Sequence, residues 1–184
     1  MNRVRSYLLC LLIPLFAVPV FADGDKHVYE LSGRFVAIGP GDDLGLDGAR
    51  FRLNVTIDPA AAPESVVRTD RGQTAVYRSA ETVLHVTGSV NALLKGAIRS
   101  TEERMEIAET YGGDTCITLG APFEAGGRSF SVPPVCFASG TLTGVQLPGT
   151  ALSGRNAAGF RATHSRGATY VVSGGAIRVR GGAR

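Results

Sequence analysis

The stretch Phe51-Arg52-Leu53-Asn54-Val55-Thr56-Ile57 decides the fold, because every second residue in it is apolar. A period of two places alternate side chains on opposite faces of a β-strand, whereas an amphipathic helix needs apolar residues three and four apart. We therefore expect a half-buried strand whose four apolar side chains are buried and whose three polar side chains are mostly exposed. Asp58-Pro59 follows and should end the strand.

Short segments with strand character recur along the rest of the chain. The segments expected to form strands are residues 28–38, 51–57, 74–79, 82–87, 104–110, 115–119, 128–132, 135–137, 141–147, 159–163 and 168–180. Turn residues such as Gly39-Pro40-Gly41 and Pro133-Pro134 separate them. Many short strands with frequent turns predict an all-β domain with little helix: an antiparallel β-sandwich or, as the alternative, a β-barrel.

Glycines within two of these segments carry more specific expectations. Gly33 predicts a β-bulge or a point of close packing in the first strand. Gly174-Gly175 predicts either two strands or one bent strand in the last segment.

Two other segments have a partly helical pattern. Residues 60–68 could hold a helical turn that begins near Pro63. Residues 100–103 have the form of a helix capping box, but the alternation of Met105 and Ile107 suits a strand equally well, and we assign 104–110 to a strand.

The first 22 residues have the pattern of a secretory signal peptide. Arg3 and Arg5 precede the apolar run from Tyr7 to Phe21, and Val20-Phe21-Ala22 offers a small-residue cleavage site. The run is shorter than a membrane span needs, and its two prolines weaken it as a helix. The sequence therefore predicts a signal peptide over residues 1–22, a single β domain over 23–180 and a flexible tail over 181–184, with no transmembrane segment in the mature chain.

Charge gives little support for a nucleic-acid partner. The chain has 19 basic and 16 acidic residues, and because residues 1–22 hold two arginines and no acid, 17 and 16 remain in the mature chain. Nucleic acid needs a clustered basic surface, and the sequence shows one only at Arg178, Arg180 and Arg184. We read that cluster as a solvated end strand and tail, and expect no nucleic-acid partner.

The cysteines agree with export. Cys10 lies in the signal segment, which leaves Cys116 and Cys136 in the mature chain. An even number of cysteines in an oxidising compartment is usually paired, so we expect one structural disulfide between them. A redox-active pair usually has Cys-X-X-Cys spacing and a zinc site needs about four ligands, and neither pattern is present. Cys136 lies between Val135 and Phe137 and Cys116 precedes Ile117, and from these apolar neighbours we expect the bond to be buried.

Catalytic motifs are missing from the sequence. There is no Gly-X-Ser-X-Gly nucleophile elbow and no Ser-X-X-Lys pair. His27 lies near the new amino terminus, and His85 should be exposed on a strand. His164 could join a catalytic triad only with partners distant in the sequence, and nothing in the sequence selects them. The sequence leaves catalysis open, favours a non-enzyme, and indicates no cofactor and no catalytic residue.

The acidic loop Asp42-Asp43-Leu44-Gly45-Leu46-Asp47-Gly48 was compared with calcium sites. It departs from the EF-hand pattern, because Gly45 replaces a ligand and Asn54 stands where the bidentate Glu belongs. A looser calcium site on Asp42, Asp43 and Asp47 is the alternative to a solvated hairpin turn, which we favour. No metal site is therefore expected.

A family resemblance rests on short motifs spread over about half of the mature chain. These are Leu31-Ser-Gly33-Arg-Phe35, Gly48-Ala-Arg-Phe51 through Ile57-Asp58, Thr82 to Gly88, and Gly174-Gly-Ala-Ile177. Their order resembles the β-rich ectodomains of exported bacterial PEP-CTERM-type proteins, whose Pro-Glu-Pro sorting tail is not in the sequence. The resemblance implies an envelope or extracellular β domain without known chemistry.

Three function classes follow from these observations. The first is an exported, non-catalytic envelope or secreted domain with a binding or structural role, favoured because every identifiable feature is structural. The second is a carbohydrate-binding module, which commonly presents aromatic platforms and is disfavoured by the absence of Trp. The third is a hydrolase whose site would join His164 or His85 to a carboxylate and a serine. The sequence identifies no ligand or partner.

Overall fold

A computed structural model describes residues 26–39, 41–42, 44–120, 122–125, 128–132, 134–142, 144–149, 152, 155–156, 161–164 and 169–181. The strands are β1 His27–Ile38, β2 Arg50–Ile57, β3 Ser65–Thr69, β4 Gly72–Arg78, β5 Glu81–Thr87, β6 Gly96–Arg99, β7 Arg104–Thr110, β8 Thr115–Leu119, β9 Phe123–Ala125, β10 Arg128–Ser131, β11 Val135–Phe137, β12 Arg155–Asn156, β13 Arg161–His164 and β14 Thr169–Gly181. A 3-10 helix covers Ala92–Leu94. The predicted signal peptide and tail residues 182–184 lie outside the described residues, and Gly181 is the last residue of β14.

The strands form two antiparallel sheets. The larger sheet has the order β6-β5-β2-β1-β14-β13-β10-β9, with β12 also paired to β14, and the smaller sheet has the order β11-β8-β7-β4-β3. One cluster of buried apolar side chains combines residues of both sheets, such as Leu53 of the larger and Ile107 of the smaller. The all-β prediction is confirmed, and the sandwich is the one of the two expected architectures that the chain adopts.

The deciding stretch forms β2, with the expected alternation. Phe51, Leu53, Val55 and Ile57 are all buried, with exposures of 4% or less. Arg52 on the opposite face is exposed, as predicted, whereas Asn54 and Thr56 are only half-buried. They are more covered than expected because β2 is a central strand with β1 on one side and β5 on the other.

The first and last long strands pair with each other along most of their length and carry a bulge. Ser32 pairs with Ala176 and Arg34 with Ser173, so Gly174-Gly175 lie opposite the single residue Gly33. Gly174 has a φ of +63°, the left-handed conformation that glycine adopts at such bulges. The last segment is therefore one bent strand, and Gly33 lies opposite the bulge.

Two predicted segments differ from the structure. Residues 141–147 form turns and bends at the described positions instead of a strand, and Leu142, Val145 and Leu147 pack against the core as loop residues. The hydroxyl of Tyr77 donates to the carbonyl of Val145 over 2.9 Å, which ties this loop to β4 of the smaller sheet. The prediction was wrong because apolar residues spaced along a loop that covers the core resemble the alternation of a strand.

The helical turn suggested for residues 60–68 is also wrong. Residues 65–69 form the edge strand β3, which pairs with β4. The 104–110 segment is the strand β7, as predicted. Short strands that the sequence analysis missed, such as β6 and β9, have only four and three residues, too few to show a period.

Cys116 and Cys136 are bonded to each other, with Cα atoms 4.0 Å apart. They are direct register partners on β8 and β11. The expectation that the bond is buried is wrong, because Cys136 is exposed. Its strand neighbours Val135 and Phe137 face the core, so the cysteine between them faces outward.

Candidate functional site

The outer surface of five adjoining strands of the larger sheet collects basic side chains. In β14, β1, β2, β5 and β6 one set of alternate residues packs in the core, and the residues between them, which include Val28, Val83 and Ala97, face outward. The outward positions hold six arginines and one histidine against two glutamates: Arg34, Arg50, Arg52, Arg99, Arg178, Arg180 and His85 against Glu30 and Glu81. We call this surface the arginine face. With about 4.8 Å between strands, it spans about 20 Å across the sheet.

Antiparallel register places these side chains in rows. Ser32, Arg52 and His85 lie in one row, because Ser32 pairs with Arg52 and Arg52 pairs with His85. Arg34 of β1 and Arg50 of β2 are register partners and lie opposite each other in the next row. Residues far apart in the sequence therefore form one basic surface.

Glu30 holds two of the arginines in place. Its side chain is only 8% exposed, and its Oε2 lies 3.1 Å from Nη2 of Arg180 and 3.6 Å from Nε of Arg52. A carboxylate removed from water in this way needs compensating charge, which the two arginines supply. Glu30 thus neutralises part of the face and orients Arg52 and Arg180 on it.

The remaining arginines differ in their pairing. Arg99 pairs with Glu81 at 2.8 Å. Arg34, Arg50 and Arg178 form no ion pair with another residue that the structure describes. These three guanidinium groups are the charges on the face most available to an anion.

Two adjoining hollows lie on the arginine face. The central hollow has a volume of about 610 Å³ and is lined by Ser32, Gly33, Arg50, Phe51, Arg52, Asn54, His85, Thr87 and Gly174. The second hollow has a volume of about 460 Å³ and is lined by Val28, Asn54, Thr56, Glu81, Val83, His85, Ala97 and Arg99. Asn54 and His85 belong to both, so the hollows form one groove.

The lining of the central hollow is rich in hydrogen-bond donors. Arg50, Arg52 and the Ser32 hydroxyl can all donate, and no acidic residue of the described chain lines this hollow. Asn54, which lines both hollows, adds an amide group that can donate; its Oδ1 atom is buried and has no hydrogen-bond partner among the described residues. Such a lining suits an anion.

His85 is exposed, as the sequence predicted. Arg52 lies between His85 and Ser32 in the row, so the Cα atoms of His85 and Ser32 are two strand spacings, or about 10 Å, apart. Glu81 is four residues along the same strand, which separates the Cα atoms by about 13 Å. The geometry therefore does not join His85 to Ser32 and Glu81. His164 lies in β13, and its side chain is outside the described set.

The acidic loop is closed by its own hydrogen bonds. Asp42 accepts from the amides of Leu46 at 2.7 Å and Asp47 at 3.1 Å, and from the hydroxyl of Tyr170 at 2.7 Å. Burial by itself raises the pKa of the Asp42 carboxyl, but these hydrogen bonds outweigh it and lower the pKa below its usual value. Asp47 accepts from the amide of Ala37. The loop is a hydrogen-bonded turn in which Leu44 and Leu46 are buried, so it is less solvated than the sequence predicted; Asp43 lies outside the described residues.

Metal-binding and membrane-spanning features were sought in the described part of the chain. No three His, Cys, Asp or Glu side chains among those residues gather closely enough to hold a metal ion. No helix within the same ranges is long and apolar enough to cross a membrane.

The sequence analysis missed the arginine face. It found Arg178 and Arg180 because they are close in sequence, but the other four arginines come from three other strands. The available signal was the alternation itself, since Arg50 and Arg52 occupy the polar positions of the stretch that predicted β2.

Comparison with known proteins assigns no family. No protein-family model, no curated protein and no solved structure matches the chain.

Proposed function

We propose that this protein is an exported, non-catalytic domain that binds an anionic polymer on the arginine face. The observation that carries the proposal is the excess of six arginines and a histidine over two glutamates on one sheet surface. The mature chain as a whole is close to neutral, so this surface concentrates charge that the rest of the molecule balances. Clustered charge of one sign attracts and orients a ligand of the opposite sign.

The shape of the face supports an extended ligand. The two hollows share Asn54 and His85 and form a groove across β1, β2, β5 and β6. A small anion would fill only one hollow, whereas a polymer can place successive charged units along the groove. The three arginines without a described ion pair are spread over β1, β2 and β14, which again suits several contacts.

Export is part of the proposal. The signal-like segment over residues 1–22 and the resemblance to PEP-CTERM-type ectodomains both favour an envelope or secreted location. A disulfide between Cys116 and Cys136 is compatible with an oxidising compartment. A non-catalytic role is supported by His85, which lies far from Ser32 and Glu81.

The test is a binding measurement with a charge-matched control. The variant Arg34→Gln/Arg50→Gln/Arg178→Gln removes the three arginines of the face without a described ion pair. The control Arg68→Gln/Arg71→Gln/Arg104→Gln removes three exposed arginines of the smaller sheet and its turn. Both variants lose the same net charge; they differ in the position of that charge and in the ion pair of Arg104 with Glu102, at 2.8 Å, which the control removes.

Binding to immobilised polygalacturonate, dextran sulfate and neutral dextran is measured at low and high salt. We expect the wild type and the control to bind at least one polyanion in a salt-dependent manner, and the face variant to lose most of that binding. Equal loss in both variants, or no binding of any polyanion by the wild type, would contradict the proposal.

A further inference from the structure

We infer that the polymer is a carboxylated polysaccharide, and that one sugar carboxylate binds Arg50 in the central hollow while the neighbouring ring lies in the second hollow. This inference rests on the proposed function and deepens it. It is carried by the different linings of the two adjoining hollows.

The central hollow fits a carboxylate. Arg50 forms no ion pair with another described residue, and its planar guanidinium can bind both oxygens of one carboxylate. Arg52 and the Asn54 amide line the same hollow and add donors. Because no acidic residue of the described chain lines it, a bound carboxylate meets no like charge there.

The second hollow fits a hydroxylated ring. Val28, Val83 and Ala97 give it an aliphatic part, on which the C–H groups of a sugar ring can pack. Glu81, which is paired with Arg99 at 2.8 Å, offers carboxylate oxygens that accept hydrogen bonds from hydroxyl groups. The same Glu81 carboxylate would repel a second anion at this position.

These linings disfavour a nucleic acid. Bound single strands usually stack their bases on aromatic side chains. Among the described residues that line the two hollows, only Phe51, which is buried, and His85 carry aromatic rings. A phosphate backbone would also place charge beside Glu81. A sugar polymer needs no aromatic platform, and the carboxylate of the ring in the second hollow meets no repulsion when it points out of the groove, away from Glu81.

The test compares two arginines of the same face. Arg50 lines the central hollow, whereas Arg178 is exposed on β14, lines neither hollow and is likewise without a described ion pair. The variants Arg50→Gln and Arg178→Gln therefore remove one charge each. A third variant, Thr87→Glu, adds a carboxylate at an exposed position that lines the central hollow.

Binding of the full chain to oligogalacturonate is measured by calorimetry, with dextran sulfate and a DNA duplex as comparison ligands. We expect Arg50→Gln and Thr87→Glu to weaken oligogalacturonate binding by about tenfold or more, and Arg178→Gln by about threefold or less. Circular dichroism and thermal unfolding establish that each variant is folded.

The outcomes separate the inference from the proposed function. Equal effects of Arg50→Gln and Arg178→Gln would overturn the sugar site while keeping a polyanion-binding face. Tighter binding of dextran sulfate or DNA than of oligogalacturonate would also overturn it. Failure of the wild type to bind any of the three ligands would overturn both.

Discussion

Arg52 of β2 lies directly opposite His85 of β5 in the antiparallel register, and both side chains face away from the core. The pair is at the middle of the groove that crosses the arginine face. Its position follows from the strand pattern, because burial of Leu53 and Leu84 on one face sends their polar neighbours to the other. The residues that build the core thus also place the residues that can bind a ligand.

The bulge between the first and last strands should be intolerant of a side chain at Gly33. A Cβ atom there would overlap with Cγ1 of Val172. We expect Gly33→Ala to lower the free energy of unfolding by about 1–3 kcal/mol, as overpacking does. Urea denaturation measures the effect.

Two further variants show whether the overlap is the cause. Gly149→Ala, where a Cβ would have open space and φ is not in the left-handed region, should change stability little. Val172→Ala should recover part of the loss when it is combined with Gly33→Ala. A harmless Gly33→Ala would contradict the packing described for this bulge.

Tyr29 should make the protein sensitive to alkaline pH. Burial, with a smaller contribution from Tyr77, raises the pKa of Tyr29 to about 12. In the unfolded chain the hydroxyl ionises near pH 10, so the stabilisation is complete below about pH 10 and is lost as the pH rises toward 12. Denaturant unfolding across this range should show the decline.

Tyr29→Phe is the matching variant. It leaves the carbonyl of Pro148 without the hydroxyl that donates to it over 2.8 Å, so we expect a loss of about 1–2 kcal/mol at neutral pH. The alkaline decline should be weaker in this variant. An identical pH profile in both proteins would show that Tyr29 does not titrate as described.

Asp42 should make the protein less stable at acid pH. Its pKa is lowered in the folded protein, so its stabilisation is present above the unfolded value, about pH 4, and is lost as the pH falls through the folded value. Asp42→Asn should lower the free energy of unfolding at neutral pH, because it weakens the hydrogen bonds that the carboxylate accepts. The loss should be only about 1 kcal/mol, because Asp42 is exposed. The difference between variant and wild type should shrink in acid; a constant difference would argue against titration of Asp42.

How far the sequence predicted the molecule depends on the length of each pattern. The alternation over residues 51–57 was long enough to fix both the strand and its buried face. The three-residue strand β9 and the core-covering loop at 141–147 were not predictable, because a few residues cannot show a period and loop residues also bury apolar side chains. The alternation shows that Arg50 and Arg52 share one side of β2, but the whole arginine face depends on which strands are neighbours and on their register, which the alternation within one strand does not show.

The disulfide shows the same limit. The pairing of Cys116 with Cys136 followed from their number, but their exposure depends on which face of β8 and β11 they occupy. We expect Cys116→Ser/Cys136→Ser to lower the thermal midpoint by about 5–10 °C, because closing this loop stabilises by about 3 kcal/mol.

Mild reductants should reach the bond at Cys136 and lower the midpoint by a similar amount. Ligand binding by the folded protein should not change, because the cysteines lie on the smaller sheet and the arginine face on the larger. Resistance of the bond to a mild reductant would contradict the outward position of Cys136.

An NMR titration of the isotope-labelled protein with oligogalacturonate at low salt locates the binding surface residue by residue. We expect the backbone amide shifts to change along β1, β2 and β5 around Arg52 and His85, while those of β7 and β8 of the smaller sheet stay unchanged. Shifts concentrated on the smaller sheet, or no shifts with the ligand in excess, would contradict this expectation.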